Sequence, residues 1–252
     1  MPSIPGNAAP GAAVRGKGHI LVITANTDDL YRTSMLLQRF AYPVFTAQTM
    51  QQAFDMVSVT MPSLVIADLV LPDTSGLDLL RKLGAGARAL PFILLLPAAD
   101  AQVEQKHVEL GGAVPCLAKP VQAEELFRLV QAAIEPTPRA TIRIQARLPV
   151  TVNRSPFDPL KGEYIIDLSE DGLYIRTLRP LPRNDRVTVQ LEVGGRVITA
   201  EATVIYVHRP LDGLFREPGM ALKFQRIAPV DREAIRQHIH DAVTKGIEDR
   251  KA

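Results

Sequence analysis

Two domains of different architecture are predicted along this 252-residue chain. The first is an α/β domain with a doubly wound, five-stranded parallel sheet; the second is a small antiparallel β-barrel with a C-terminal helix. Three observations predict this. Short apolar runs alternate with helix-period segments through the first half, the pattern of a parallel sheet covered on both faces. A Pro-rich stretch, Glu135-Pro136-Thr137-Pro138, then interrupts the chain. Beyond it the hydrophobic period falls to two, with hairpin signals at short intervals, as in small barrels.

In the first domain, residues 18–135, the apolar run His19–Thr24 reads as a buried strand. Asn26, Thr27 and Asp28 are helix-capping types, and a helical stretch follows to about Phe40. Further strands are predicted at Pro43–Thr46, Leu64–Ala67, Pro91–Leu96 and Ala113–Leu117. Helices are predicted at Met50–Thr60, Leu77–Leu83, Ala101–Leu110 and Ala123–Ile134. The two prolines of residues 135–138 oppose further helix, which places the boundary near residue 136.

The second domain, residues 136–252, opens with an arginine-bearing arm over 137–143. From Ile144 the residues Ile144, Ala146, Leu148, Val150 and Val152 alternate with Gln145, Arg147, Pro149 and Thr151, a half-buried strand. Glu163–Ser169 is expected to turn Ile166 and Leu168 inward and Asp167 and Ser169 outward. Leu173–Thr177, Arg186–Val193, Arg196–Val207 and Gly219–Phe224 complete some six strands, with Gly194-Gly195 as a hairpin turn. Ile235, Ile239 and Val243, four apart, mark a final helix over 231–248.

Composition narrows the function classes. Hydrophobic residues are 46% and charged residues 22% of the chain, an ordinary globular balance. Cys116 is the sole cysteine, so no intramolecular disulfide can form; this suits a reducing cytoplasm, where the protein is expected to reside. Residues 1–17 are rich in Pro, Gly and Ala without the apolar segment of a signal peptide, and are expected to be a disordered arm. No apolar run approaches the ~20 residues that cross a bilayer. The net charge is +2, with 19 Lys/Arg against 15 Asp/Glu from residue 137 on and 10 against 12 before it. A mildly basic second half suits a small anionic ligand. Nucleic acid calls for a denser basic patch, and no helix-turn-helix or basic helix is evident. Neither nucleic acid nor a membrane is expected as partner. His19, His107 and His208 are scattered, and His238 and His240 diverge on a helix. No metal constellation or nucleophile–base set emerges, and an enzyme is not expected.

In parallel α/β sheets, sites lie at the C-terminal ends of strands. Asp68 ends the third strand, ahead of Leu69-Val70-Leu71-Pro72-Asp73-Thr74-Ser75-Gly76, and Lys119 ends the fifth, ahead of Pro120. The spacing of Asp68, Pro72 and Gly76, together with Lys119-Pro120, resembles the receiver domains of two-component response regulators over about residues 18–135. The resemblance implies an aspartate, here Asp68, that accepts phosphate from a histidine kinase with Mg²⁺ bound, and a lysine, here Lys119, that contacts the phosphoryl group. The departures are as informative. The family's two acidic metal-holding positions fall on Thr24 and Ala25; Asp28 and Asp29 lie a turn later and are expected to cap the helix. The family's Ser/Thr at the end of the fourth strand is Leu96, and its aromatic in the fifth is Cys116. Mg²⁺ wants carboxylate oxygen, and phosphoryl transfer depends on that charge neutralisation. The expectation is a pseudo-receiver without Mg²⁺, in which Asp68 and Lys119 persist as a buried ion pair and the domain serves as a docking or homodimerisation surface. The alternative is a response regulator phosphorylated at Asp68 with the barrel as output.

In the second domain, Arg139 and Arg143 are four apart, as are Arg143 and Arg147. Two guanidiniums on one face grip an anion well, and each matches the O6/N7 acceptor pair of guanine. Asp167 can accept guanine N–H donors or orient an arginine, Ser169 can serve a phosphate or ring nitrogen, and Gly172 permits a tight turn or close approach. Taken singly, such arginines are usually a solvated face and an Asp-x-Ser a local turn. Together, Arg-x-x-x-Arg and Asp167-Leu168-Ser169-Glu170-Asp171-Gly172 resemble the two signatures of the PilZ domain, the bacterial receptor module for cyclic di-GMP, over about residues 137–245. The segments at 179–193 and 219–224 are similar to its later strands. Counting back from Leu148-Pro149-Val150 selects Arg139 with Arg143; Arg143 with Arg147 is the other register. Pro138 stands where the family often has a basic or polar residue. The resemblance implies cyclic di-GMP bound by Arg139, Arg143, Asp167, Ser169 and Gly172, an arm that closes over it, and a change in domain orientation relayed to a protein partner. Motility, exopolysaccharide production and development are the outputs the family suggests.

Overall fold

The structure, a computed structural model, describes residues 18–84, 90–97, 114–210 and 217–247. The predicted arm 1–17, the predicted helix 101–110 and the tail from residue 248 lie outside the described residues.

The first half is built on strands β1 (Ile20–Ile23), β2 (Val44–Ala47), β3 (Leu64–Asp68), β4 (Phe92–Leu96) and β5 (Cys116–Ala118), all parallel in the order β2-β1-β3-β4-β5. Successive residues of a strand point to opposite faces, and here both faces are apolar. Ile20, Val22, Ile66 and Leu95 pack with Leu36 and Leu37 of α1 (Thr27–Arg39), with Phe40 just beyond it, and with Leu126, Phe127 and Val130 of α4 (Ala123–Ile134). Leu21, Ile23, Val65 and Leu94 pack on the other side, with Ala53 of α2 (Met50–Thr60) and Leu79 of α3 (Gly76–Gly84).

The second half is one antiparallel eight-stranded sheet, in the order β6-β9-β10-β13-β12-β11-β7-β8. Its strands are β6 (Ile144–Leu148), β7 (Val150–Val152), β8 (Ser155–Pro156), β9 (Tyr164–Ser169), β10 (Gly172–Arg176), β11 (Arg186–Val193), β12 (Arg196–His208) and β13 (Gly219–Ile227). Eight strands stand where some six are expected, because the first long strand divides at Pro149 and Ser155–Pro156 adds a short one. That division curls the sheet. β6 pairs with β9 and β7 pairs with β11, so one nearly continuous stretch of chain meets both flanks of the sheet. Proline, which donates no ladder hydrogen bond, sits at the corner. Val187, Val189, Leu191 and Val193 of β11 face inward with the expected alternation. Gly194 and Gly195 take φ +58° and +79° in the turn to β12, as a tight hairpin requires.

Helix α5 (Pro229–Thr244) buries Ile235, Ile239 and Val243 at its spacing of four and stops short of residue 248. It also touches the first half. Arg39 at the end of α1 donates through Nη1 and Nη2 to the carbonyls of Val243 and Lys245, both at 2.5 Å, and His240 Nδ1 lies 2.9 Å from Glu124 Oε1 of α4.

Candidate functional site

The structure presents two candidate sites, one at each strand-end predicted to carry chemistry. In the α/β half, Asp68 ends β3 with only 5% of its surface exposed. The buried Thr24 hydroxyl donates to Asp68 Oδ2 at 2.5 Å, and Lys119 Nζ lies 2.7 Å from Oδ1. Burial raises the Asp68 pKa, against the lowering pull of Lys119 and Thr24. Burial pulls Lys119 down, but its bonds to Asp68 and Asp29 outweigh that and hold it above its ordinary value. A Cβ on Gly76 would stand 2.2 Å from the Asp68 carbonyl oxygen, which explains why a glycine opens α3.

One expectation is corrected here. Asp28 and Asp29 do not cap α1. Asn26 does, its side chain accepting from the N–H groups of Asp28 and Asp29. The Asp29 carboxylate, one turn up, instead reaches Lys119 Nζ at 2.9 Å. Ala25 is exposed and offers no ligand atom, and Leu96 ends β4 as an apolar residue 9% exposed. Among the described residues no group of His, Cys, Asp and Glu is arranged to hold a metal ion.

The second site lies on the barrel at the β9–β10 hairpin. A cavity of about 190 Å³ is lined by Arg143, Asp167, Ser169, Gly172, Tyr174 and Tyr206, among others. The outward alternation expected in β9 is broken. Ile165 and Leu168 are the residues fully buried, and the register with β10 slips so that Tyr174 pairs with Asp167 and Ile175 with Ile165. Ile166 is the extra residue of a β-bulge, a device that re-aims the side chains beyond it. Asp167 is left half-buried in the cavity wall and accepts no hydrogen bond from a described residue. Burial raises its pKa, while Arg143 and then Arg139 pull it back down. Ser169 Oγ donates to the Gly172 carbonyl at 3.0 Å, the local turn bond. A Cβ on Gly172 would meet the Leu222 carbonyl oxygen at 2.1 Å, so β13 passes too close for any other residue.

The arginines part company. Arg143, just ahead of β6, lines the cavity. Arg147 instead lies over the Tyr164 ring at 5.0 Å. Arg139 is exposed, and its backbone N–H donates to Gln131 Oε1 of α4 at 2.8 Å. Thr141 Oγ1 donates to Asp171 Oδ2 at 3.2 Å and Ile142 is buried in the core. The arm backbone, expected to be mobile, is thus anchored at three points. The hairpin tip is held from the far side as well: Arg232 Nη1 of α5 donates to the Glu170 carbonyl at 2.8 Å, and Arg236 Nη2 lies 3.0 Å from Glu170 Oε2.

Nothing in the local sequence marks Tyr174 and Tyr206, which line the cavity. Their rings and that of His208 have centroids 5.1–6.0 Å apart. Tyr174 Oη donates to the Glu217 carbonyl at 2.7 Å, and burial, then Tyr206 and Glu217, pushes its pKa up to about 12. The available signal was the pairing of β10 with β9, which sets Tyr174 opposite Asp167.

Two family models match the chain. The response regulator receiver domain covers residues 18–131 and the PilZ domain residues 137–241. The chain is a response-regulator receiver domain fused to a PilZ domain. The receiver–PilZ chain is 28% identical over 197 residues to the probable transcriptional regulatory protein TcrX of Mycobacterium tuberculosis, covering 73% of this chain and 83% of that protein. It is 29% identical over 113 residues to the virulence transcriptional regulatory protein PhoP of Salmonella typhimurium. That match covers 45% of this chain, which spans about half the length of PhoP, 50%. Among solved structures, the signal receiver domain of an HD domain-containing protein from Pseudomonas fluorescens Pf-5 matches at 26% identity with a TM-score of 0.42, covering 46% of this chain and 94% of that one. Receiver and PilZ domains are signalling domains, and the receiver–PilZ chain is a signalling protein. No described helix is long and apolar enough to cross a membrane.

Proposed function

We propose that the receiver–PilZ chain is a non-enzymatic cytoplasmic receptor for cyclic di-GMP that relays ligand binding to a protein partner. The observation that carries this is the convergence of Arg143, Asp167 and Ser169 on one cavity, with the Asp167 carboxylate accepting no hydrogen bond from a described residue. A half-buried carboxylate with open acceptor positions is a natural partner for a ligand's N–H donors. A guanine edge supplies them, donating N–H groups to Asp167 while its O6 and N7 accept from an arginine. The cavity of about 190 Å³ is smaller than the roughly 300–1,000 Å³ that encloses a drug-sized ligand. It suits one base, with the phosphates outside under Arg139 and Arg143. Gly172 contributes close backbone packing, and Ser169 the turn that presents Asp167. Arg147, engaged on Tyr164, is the less favoured register.

In this reading the receiver half is a pseudo-receiver. Where the family holds a metal through two carboxylates, this chain has Thr24, which donates to Asp68, and Ala25, whose side chain offers no ligand atom. The half serves for docking, with a homodimer or a separate protein as its occupant, and neither nucleic acid nor a membrane is a partner. Guanidiniums drawn onto the ligand bias the pose of the two halves, which is a population shift driven by contacts made only in the bound state. The second reading, phosphorylation at Asp68, is favoured by the retained acceptor and lysine alone. Titration calorimetry of the full chain with cyclic di-GMP tests the proposal; absence of heat and of competition at micromolar ligand would overturn it.

A further inference from the structure

The receiver half reaches into the arm. Gln131 of α4 is 3% exposed, and both ends of its amide are used: Oε1 accepts the Arg139 backbone N–H at 2.8 Å, and Nε2 donates to Tyr42 Oη at 2.7 Å. Tyr42, 2% exposed, donates in turn to Glu135 Oε1 at 2.7 Å. The direction of this relay is fixed by its ends. A backbone N–H can only donate, so the amide oxygen faces Arg139 and the amide nitrogen faces Tyr42. Four residues on from the clasped Arg139, Arg143 lines the cavity; between them Thr141 is bonded to Asp171 and Ile142 is buried.

We propose that Gln131, backed by Tyr42, is a positioning residue for the ligand site on the other domain, holding the base of the arm so that the Arg139 side chain can meet a ligand bound beside Arg143 and Asp167. The inference rests on the cyclic di-GMP reading and adds to it a specific role for the receiver half: it supplies part of the site's framework. An arm left free would have to be ordered at the moment of binding, which weakens affinity, whereas a clasp formed in the fold has met that cost beforehand.

The test is a thermodynamic cycle on the full chain, by calorimetric titration with cyclic di-GMP at one salt concentration, using wild type, Gln131→Met, Arg139→Ala and the double variant. Methionine fills the volume of glutamine without its hydrogen bonds. Gln131→Met is expected to weaken binding about tenfold, as loss of preorganisation does, and to cost less than about twofold further once Arg139→Ala is present. A merely structural role would add its full loss in either background. Wild-type affinity in Gln131→Met, or a fully additive loss, overturns the inference. Should Gln131→Met not fold, Tyr42→Phe reads the same relay: a loss of about two- to fivefold supports it, and unchanged affinity overturns it. Failure of the wild type to bind overturns the receptor reading itself, a result separate from both.

Discussion

Lys119 Nζ lies 2.7 Å from Asp68 Oδ1, so the carboxylate at the end of β3 is already neutralised by a cation from the end of β5. Thr24 donates to the other oxygen, and the two positions at which the family holds a metal through carboxylates are Thr24 and Ala25. Incubation with acetyl phosphate and Mg²⁺ should therefore leave the mass unchanged. A stoichiometric phospho-adduct on Asp68 would sink the pseudo-receiver reading. Lys119→Met strands a buried carboxylate and should lower stability by about 2–4 kcal/mol in denaturant melts.

Arg143 and Arg147 are predicted to separate in a binding titration. Arg143→Ala removes the arginine at the cavity and should weaken cyclic di-GMP by about 1–3 kcal/mol, roughly 5- to 150-fold. Arg147→Ala removes a cation resting on Tyr164 and should leave affinity within about twofold. The reverse ranking would assign the second register.

Asp167 should set the pH dependence of binding. Its folded-state pKa is raised above the ordinary 3.8 by burial. The ionised side chain is thus a cost to the fold, absent below the ordinary value and complete above the raised one. Ligand N–H donors need the ionised form, so affinity is full above the raised pKa and falls as pH drops through it. Asp167→Asn should reduce affinity at least about tenfold, flatten that pH profile and leave thermal stability equal or higher. A variant that binds normally would remove Asp167 from the site.

Gly172→Ala should act on the fold. The added Cβ meets backbone, the Leu222 carbonyl, so β10 and β13 must part, at a cost of about 2–4 kcal/mol in urea denaturation. A change below about 0.5 kcal/mol would show that the strands yield easily.

The layout of elements was legible because each carries its own period. Ile20–Ile23 reads as a buried strand, and Val187 to Val193 alternates, from local sequence alone. What escaped depends on neighbours distant in sequence. The bulge at Ile166 arises from pairing with β10, and no period within Glu163–Ser169 announces it. Asp29 sits where a helix-capping aspartate is plausible, yet a lysine 90 residues later claims its carboxylate. Tyr206 reaches the cavity only because β12 pairs along β13. Arg139 and Arg143 stand out by spacing, whereas Gln131 is one polar residue on an apolar helix face, and its partners, Tyr42 and Arg139, lie in two separate connecting segments.

The bond from Arg139 to Gln131 closes a short ring of chain over the proline linker. That bond fixes the length of chain between the last receiver helix and the barrel. A residue inserted in the linker, or a foreign helix in place of α4, is expected to disturb it, so α4 and the barrel form one unit of exchange.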